Sequence, residues 1–90
     1  MNIHKQPKRY SFKTEAGKTV GELTFFEEDN HMVIDHTFVD PDSRGSGIGA
    51  KLVASFVADM KKQGKKIDPI CPFAKAEFDK HPEYQELAIK

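Results

Sequence analysis

The sequence predicts an α+β fold, a compact single domain over residues 1–90 in the order β-β-β-α-β-α. Its mixed sheet would join an antiparallel meander to a splayed parallel pair. Three observations predict it. Apolar residues alternate with period two in short runs between positions 9 and 39. From Ile48 they recur at helical spacing instead, as Ile48, Leu52, Val53, Phe56, Val57 and Met60. Between the two regimes lies a glycine-rich loop.

Residues 1–7 read as a loose start that ends at Pro7. Arg9 to Lys13 alternates polar and apolar and suits a strand with one buried face. Gly17 can take a positive φ, so Glu15 to Lys18 is a turn. Val20 to Phe26 is rich in β-branched and aromatic residues, which makes it the second strand. Glu27 to Asn30 is a polar turn. Met32 to Val39 is the third strand. Strict alternation puts Met32, Ile34, His36 and Phe38 on one face and Val33, Asp35, Thr37 and Val39 on the other.

The first helix runs from about Gly47 to Gln63 and stops at Gly64, with Lys61 and Lys62 favourable in its last turn. Lys66 to Cys71 is a short strand, in which Pro69 argues for an edge or splayed position. Phe73 to Lys80 suits a second helix broken before Pro82, and Glu83 to Ile89 a final helical turn or two. A helix joins the third and fourth strands, so they lie parallel with a right-handed crossover.

Composition narrows the function. The chain has 90 residues, with 14 basic and 14 acidic side chains. Zero net charge gives no global basic field, so no nucleic-acid partner is expected. One cysteine cannot form an internal disulfide, which fits a reduced, cytoplasmic setting. No apolar run approaches the ~20 residues of a membrane helix, and the first residues carry no apolar signal region. No membrane partner is expected, and the expected state is a monomer. His4 and His31 read as surface residues, and no spacing predicts a metal site.

The informative stretch is Val39-Asp40-Pro41-Asp42-Ser43-Arg44-Gly45-Ser46-Gly47-Ile48-Gly49. Alternate glycines leave the backbone bare, and the helix that follows adds its positive N-terminal end. Several amides pointing into one concavity make a phosphate or pyrophosphate the natural guest, with Arg44 as an edge partner. A sharp bend with no ligand is the structural alternative. The P-loop pattern fails, because its second glycine would fall on Ala50. The dinucleotide pattern is met by Gly45, Gly47 and Ala50, but the loop from strand to glycine is too long and the chain has one β-α-β unit.

The pattern R-x-x-G-x-G at Arg44 to Gly49 resembles the acyl-CoA loop of the GCN5-related N-acetyltransferase (GNAT) superfamily. Together with His36-Thr37-Phe38-Val39, Cys71-Pro72-Phe73 and His81-Pro82-Glu83-Tyr84, the chain is similar to its small, single-domain YjdJ-type branch over roughly residues 8–88. The resemblance implies a GNAT-like domain that takes acetyl-CoA as co-substrate between two splayed parallel strands. The carrier's arm would pair with backbone near Phe38 and Val39. Its pyrophosphate would sit on the amides of Arg44, Gly45, Ser46, Gly47, Ile48 and Gly49. The N-terminal helices that wall the acceptor site in longer relatives have no counterpart here, which implies an open site for a primary amine, that of a protein or peptide included.

The same resemblance implies Cys71 and His36 as the reactive pair. Cys71 precedes a helix start, which would lower its pKa. It is compatible with a covalent acetyl carrier, a general base, or a small buried hydrophobe. Histidine as a residue type suits a general base near neutral pH, and His36 is also compatible with a packed core residue. The tyrosine acid common in the superfamily is replaced by Phe73, and Tyr84 is either its substitute or a packing residue. The function so implied is acetyl transfer from acetyl-CoA to an amine; the alternative is a non-catalytic acyl-CoA-binding module.

Overall fold

The computed structural model describes residues 2–43 and 45–89. Five strands form one sheet in sequence order: β1 (Ile3–Gln6), β2 (Arg9–Lys13), β3 (Thr19–Glu28), β4 (His31–Val39) and β5 (Lys66–Pro69). The first four are antiparallel neighbours, and β5 runs parallel to β4. Helix α1 (Ile48–Gln63) crosses from β4 to β5, and α2 (Pro72–Lys80) follows β5. This is the predicted α+β architecture with one strand added.

The addition corrects the reading of residues 1–7 as loose. Ile3 pairs with Phe12 and Gln6 with Arg9, across a two-residue turn at Pro7 and Lys8. A four-residue strand has little apolar content, so periodicity could not find it. An ion pair holds it to the helix: Lys5 Nζ lies 2.8 Å from Asp59 Oδ2 in α1. The buried Tyr10 hydroxyl donates to the same carboxylate. Burial and the Asp59 carboxylate both push the Tyr10 phenol up, so it remains a donor.

The core lies between the sheet and the two helices. Leu23, Ile34, Leu52, Val53, Phe56 and Ile67 are fully buried there. Phe56 packs on Phe25 at 4.6 Å and edge-on to Tyr10 at 5.5 Å between ring centroids, separations at which aromatic pairs attract. Gly64 ends α1 in the left-handed region (φ 71°), with its amide returning to Met60 and Lys61 carbonyls. The β3–β4 turn is narrower than the polar run that announced it. Glu27 and Glu28 stay in β3, and only Asp29 (φ 49°) and Asn30 (φ 69°) turn.

The final helical turn or two expected over Glu83 to Ile89 forms only in its first half. A 3₁₀ segment covers Pro82–Glu86, and the chain then extends so that Ala88 bridges Ile67 in parallel. The amide of Ile67 donates to Leu87 at 2.7 Å, and that of Ile89 to Ile67 at 2.9 Å. These bonds cover the outer edge of β5, an edge that otherwise exposes unpaired backbone.

Candidate functional site

Two local irregularities build the site. The first is in β4. Thr24 pairs with His36, yet Phe25 pairs with Ile34, so Asp35 is an extra residue in the strand. Its carboxylate accepts a hydrogen bond of 2.7 Å from the Thr24 hydroxyl. One added residue reverses the alternation. Ile34 is fully buried, but His36 and Phe38 are exposed. The expected shared face of Ile34, His36 and Phe38 is therefore broken, and Thr37 and Val39 turn to the helix side in their place.

The second irregularity is the parting of β4 and β5. They pair only from His31–Lys66 to Ile34–Pro69. Pro69 has no amide hydrogen to continue the ladder. The Cys71 amide makes one last bond to the Ile34 carbonyl, at 3.1 Å. Beyond it the strands separate, and residues 35–39 of β4 have no strand on that side. The predicted splay thus falls at Pro69. Cys71, expected at a strand end, instead caps the N-terminus of α2.

A cavity of about 540 Å³ opens beside this gap. Thr37 and Val39 form its floor, Phe73 and Glu77 of α2 one wall, and the stretch from Gly45 through Gly47, Ile48 and Gly49 to Ala50 the other. The amides at the start of α1 have no intrahelical partners; Lys51 is bonded back to Gly47, at 2.9 Å. Gly47 reaches its place as the residue before α1 with φ 76°, a region that side chains disfavour. Gly49 is needed for a different reason. A Cβ there would meet Phe73 Cζ at 2.7 Å, so only glycine lets the aromatic ring lie against the helix. Ser46 steadies the loop by donating from its hydroxyl to the Ser43 carbonyl at 2.8 Å. Arg44, the expected phosphate partner, lies outside the described residues.

The Cys71 thiol is buried, 6% exposed, and donates to Thr37 Oγ1 at 3.5 Å. Burial alone would push the thiol up. The Thr37 hydroxyl and the amides of Ala74, Phe73 and Thr37 outweigh it, and the net shift is downward from 9.0. Here the sequence and the structure differ in one partner. Thr37, not His36, touches Cys71; His36 lies one residue away with its side chain on the opposite sheet face. Phe38 likewise turns away from the cavity, which leaves its backbone as its contribution. Sequence reasoning missed Thr37 because the extra residue at Asp35 carries no compositional signal. It missed Glu77 as well, though Glu77 stands four residues from Phe73 on the same helix face, a spacing that could have flagged it.

Tyr84 packs against Phe78 at 5.3 Å and His81 at 4.7 Å between ring centroids, both pairs tilted. Among the described residues no cluster of His, Cys, Asp or Glu is placed to hold a metal ion, and no helix is long and apolar enough to cross a membrane.

Comparison with known proteins adds three findings. A family model described as GCN5-related N-acetyl-transferase matches residues 9–87. A solution structure of a GCN5-like protein from Staphylococcus aureus, provisionally assigned as an N-acetyltransferase, superposes with a TM-score of 0.78. It is 28% identical, over 97% of this chain and 86% of that one. Two less identical structures share the fold. An IAA acetyltransferase from Bacillus cereus is 24% identical with a TM-score of 0.64, over 80% of this chain and 51% of that one. A ribosomal-protein-alanine N-acetyltransferase from Brucella melitensis is 20% identical with a TM-score of 0.64, over 91% of this chain and 60% of that one. No curated protein sequence matches.

Proposed function

Because this chain belongs to the GCN5-related N-acetyltransferase family, we propose that it moves an acetyl group from acetyl-CoA to a primary amine, and that the cavity between α1 and α2 holds the carrier. The observation that carries the reading is the meeting of three features at one place. They are the glycine-bare start of α1, the half of β4 that β5 leaves without a neighbour, and a cysteine with a depressed pKa where the two strands part.

The residues fit such a guest. Amides of Gly45, Ser46, Gly47, Ile48 and Gly49, with the positive end of α1, would take the diphosphate. The backbone at Phe38 and Val39, paired to β3 on one side but without a strand on the β5 side, would pair with the arm as a strand pairs with an added peptide. Arg44 would add a cation at the phosphate end.

A bound thioester supplies an activated carbonyl carbon. In this reading the Cys71 thiolate attacks that carbon, a new C–S bond forms, and the CoA thiolate leaves. The amine nitrogen then attacks the acetyl-cysteine carbon, a C–N bond forms, and the Cys71 thiolate returns. Thr37 steadies the thiolate by donating its hydroxyl hydrogen. His36 lies across the sheet from Cys71, so in this reading it would take the amine's proton only from an acceptor that enters through the gap between β4 and β5. An open face accommodates a large acceptor such as a protein or peptide amine.

Mass spectrometry after incubation with acetyl-CoA is the direct test. The expected result is an acetyl adduct on Cys71 that an added amine discharges, with release of one free thiol per acetyl transferred. Carrier retained with neither adduct nor thiol release would leave a non-catalytic acyl-CoA-binding module; no retention would end the reading.

A further inference from the structure

Among the described residues Glu77 is the one charged side chain that lines the cavity, and it is 4% exposed. A carboxylate taken from water needs replacement partners. Those it has are loose. Lys80 Nζ stands at 3.5 Å and His81 Nε2 at 3.6 Å, longer than the ~2.7–2.9 Å of a tight charge-assisted hydrogen bond. The Lys80 side chain is itself 69% exposed, and His81 is shared with Glu83 at 3.6 Å. Both side chains follow Glu77 towards the end of α2, away from Phe73. On the cavity side Glu77 faces Phe73, Ile48, Val39 and glycine backbone, and no hydrogen bond among the described residues reaches it from there.

An acceptor-only group in a cavity for a polyanion would repel phosphate. It can favour the guest only where the guest presents donors instead of charge. The arm that joins the diphosphate to the thioester in CoA does so, with two amide N–H groups and a hydroxyl. We propose that Glu77 is a specificity-determining residue that accepts a hydrogen bond from an N–H or O–H donor of the carrier's arm. It would select carriers with such an arm over plain nucleotides. This rests on the reading of the cavity as the acetyl-CoA site.

The test titrates CoA and ADP, which has the diphosphate but no arm, against wild type, Glu77→Gln and Glu77→Leu. The expected result is a loss of about tenfold in CoA affinity for Glu77→Leu, the scale of one hydrogen bond to a charged group. Glu77→Gln, which keeps an oxygen acceptor, loses less. ADP affinity stays unchanged or tightens. Equal CoA affinity in wild type and Glu77→Leu overturns the proposal, as does a parallel loss for ADP, the mark of a collapsed wall. Wild-type protein supplies a readout that needs no variant. The Glu77 carboxyl carbon resonance should move on adding CoA and stay still with ADP; no movement with CoA also overturns it. Failure of wild type to bind CoA at all would instead overturn the parent reading, so the two failures are told apart.

Discussion

The Cys71 thiol gains its acidity from neighbours and not from exposure. Its folded pKa lies below 9.0, so the thiolate accumulates as pH rises through that lower value. Thiolate absorbance, and with it the rate of acetyl transfer, should rise with a midpoint under 9.0. Thr37→Val removes the hydroxyl and leaves the opposing burial in place, so the midpoint should move up. An unmoved midpoint would show that the helix amides suffice. Cys71→Ala should abolish the adduct and leave CoA affinity within about twofold, because thiol reactivity and phosphate binding reside on different elements. Cysteine before a helix start was legible in the sequence. Its hydroxyl partner was not, since a side-chain pairing between residues 34 positions apart depends on strand phase.

At the scale of elements, the glycines of the α1 start separate into two testable kinds. Gly47→Val places a β-branched residue at φ 76° and should cost about 1–2 kcal/mol of stability as well as carrier affinity. Gly49→Val keeps an ordinary helical backbone but drives Phe73 off the cavity wall. It should reduce CoA binding by isothermal titration more than it lowers Tm. The β1 strand makes a separate prediction. Asp59 is pushed up by partial burial but held below 3.8 overall by Lys5 and Tyr10, with Lys62 nearby. A depressed carboxyl contributes stability above its unfolded pKa and loses it as pH falls through the folded one. Asp59→Asn should therefore cost about 1 kcal/mol near neutral pH and flatten the acid limb of the Tm profile below about 4. Helix α1 and strands β2 to β4 were legible because each has a strong period or a capping glycine, and β5 was legible in place though it ends at Pro69 and not at Cys71. Strand β1 was not, because pairing with a neighbour, rather than its own pattern, makes it a strand.

For the whole molecule, a ligand that binds only the native state raises its stability by mass action. At about a hundred times Kd, acetyl-CoA should add ~2.7 kcal/mol, enough to raise the Tm of a chain this short by roughly 10 °C or more. NAD at the same concentration should leave Tm unmoved, which separates this cavity from the dinucleotide reading that Gly45, Gly47 and Ala50 formally allow. Fold class, the order of elements from β2 to α2 and the glycine loop could be read from the sequence alone. The β4 phase, the contact of Thr37 with Cys71 and the inward turn of Glu77 required three dimensions, because a single extra residue exchanges the two faces of a strand.

The parting of β4 from β5 has one more consequence. Bare hydrogen-bonding groups along a sheet invite another molecule of the same chain to dock sideways and build fibres. On the side that β5 leaves, the vulnerable stretch is residues 35–39, kinked at its outset by the bulge and stopped by Pro41 just past the Val39 end. So brief and crooked a margin gives a foreign ladder little to grow along, and the protein can leave it vacant for a small guest without seeding its own aggregation.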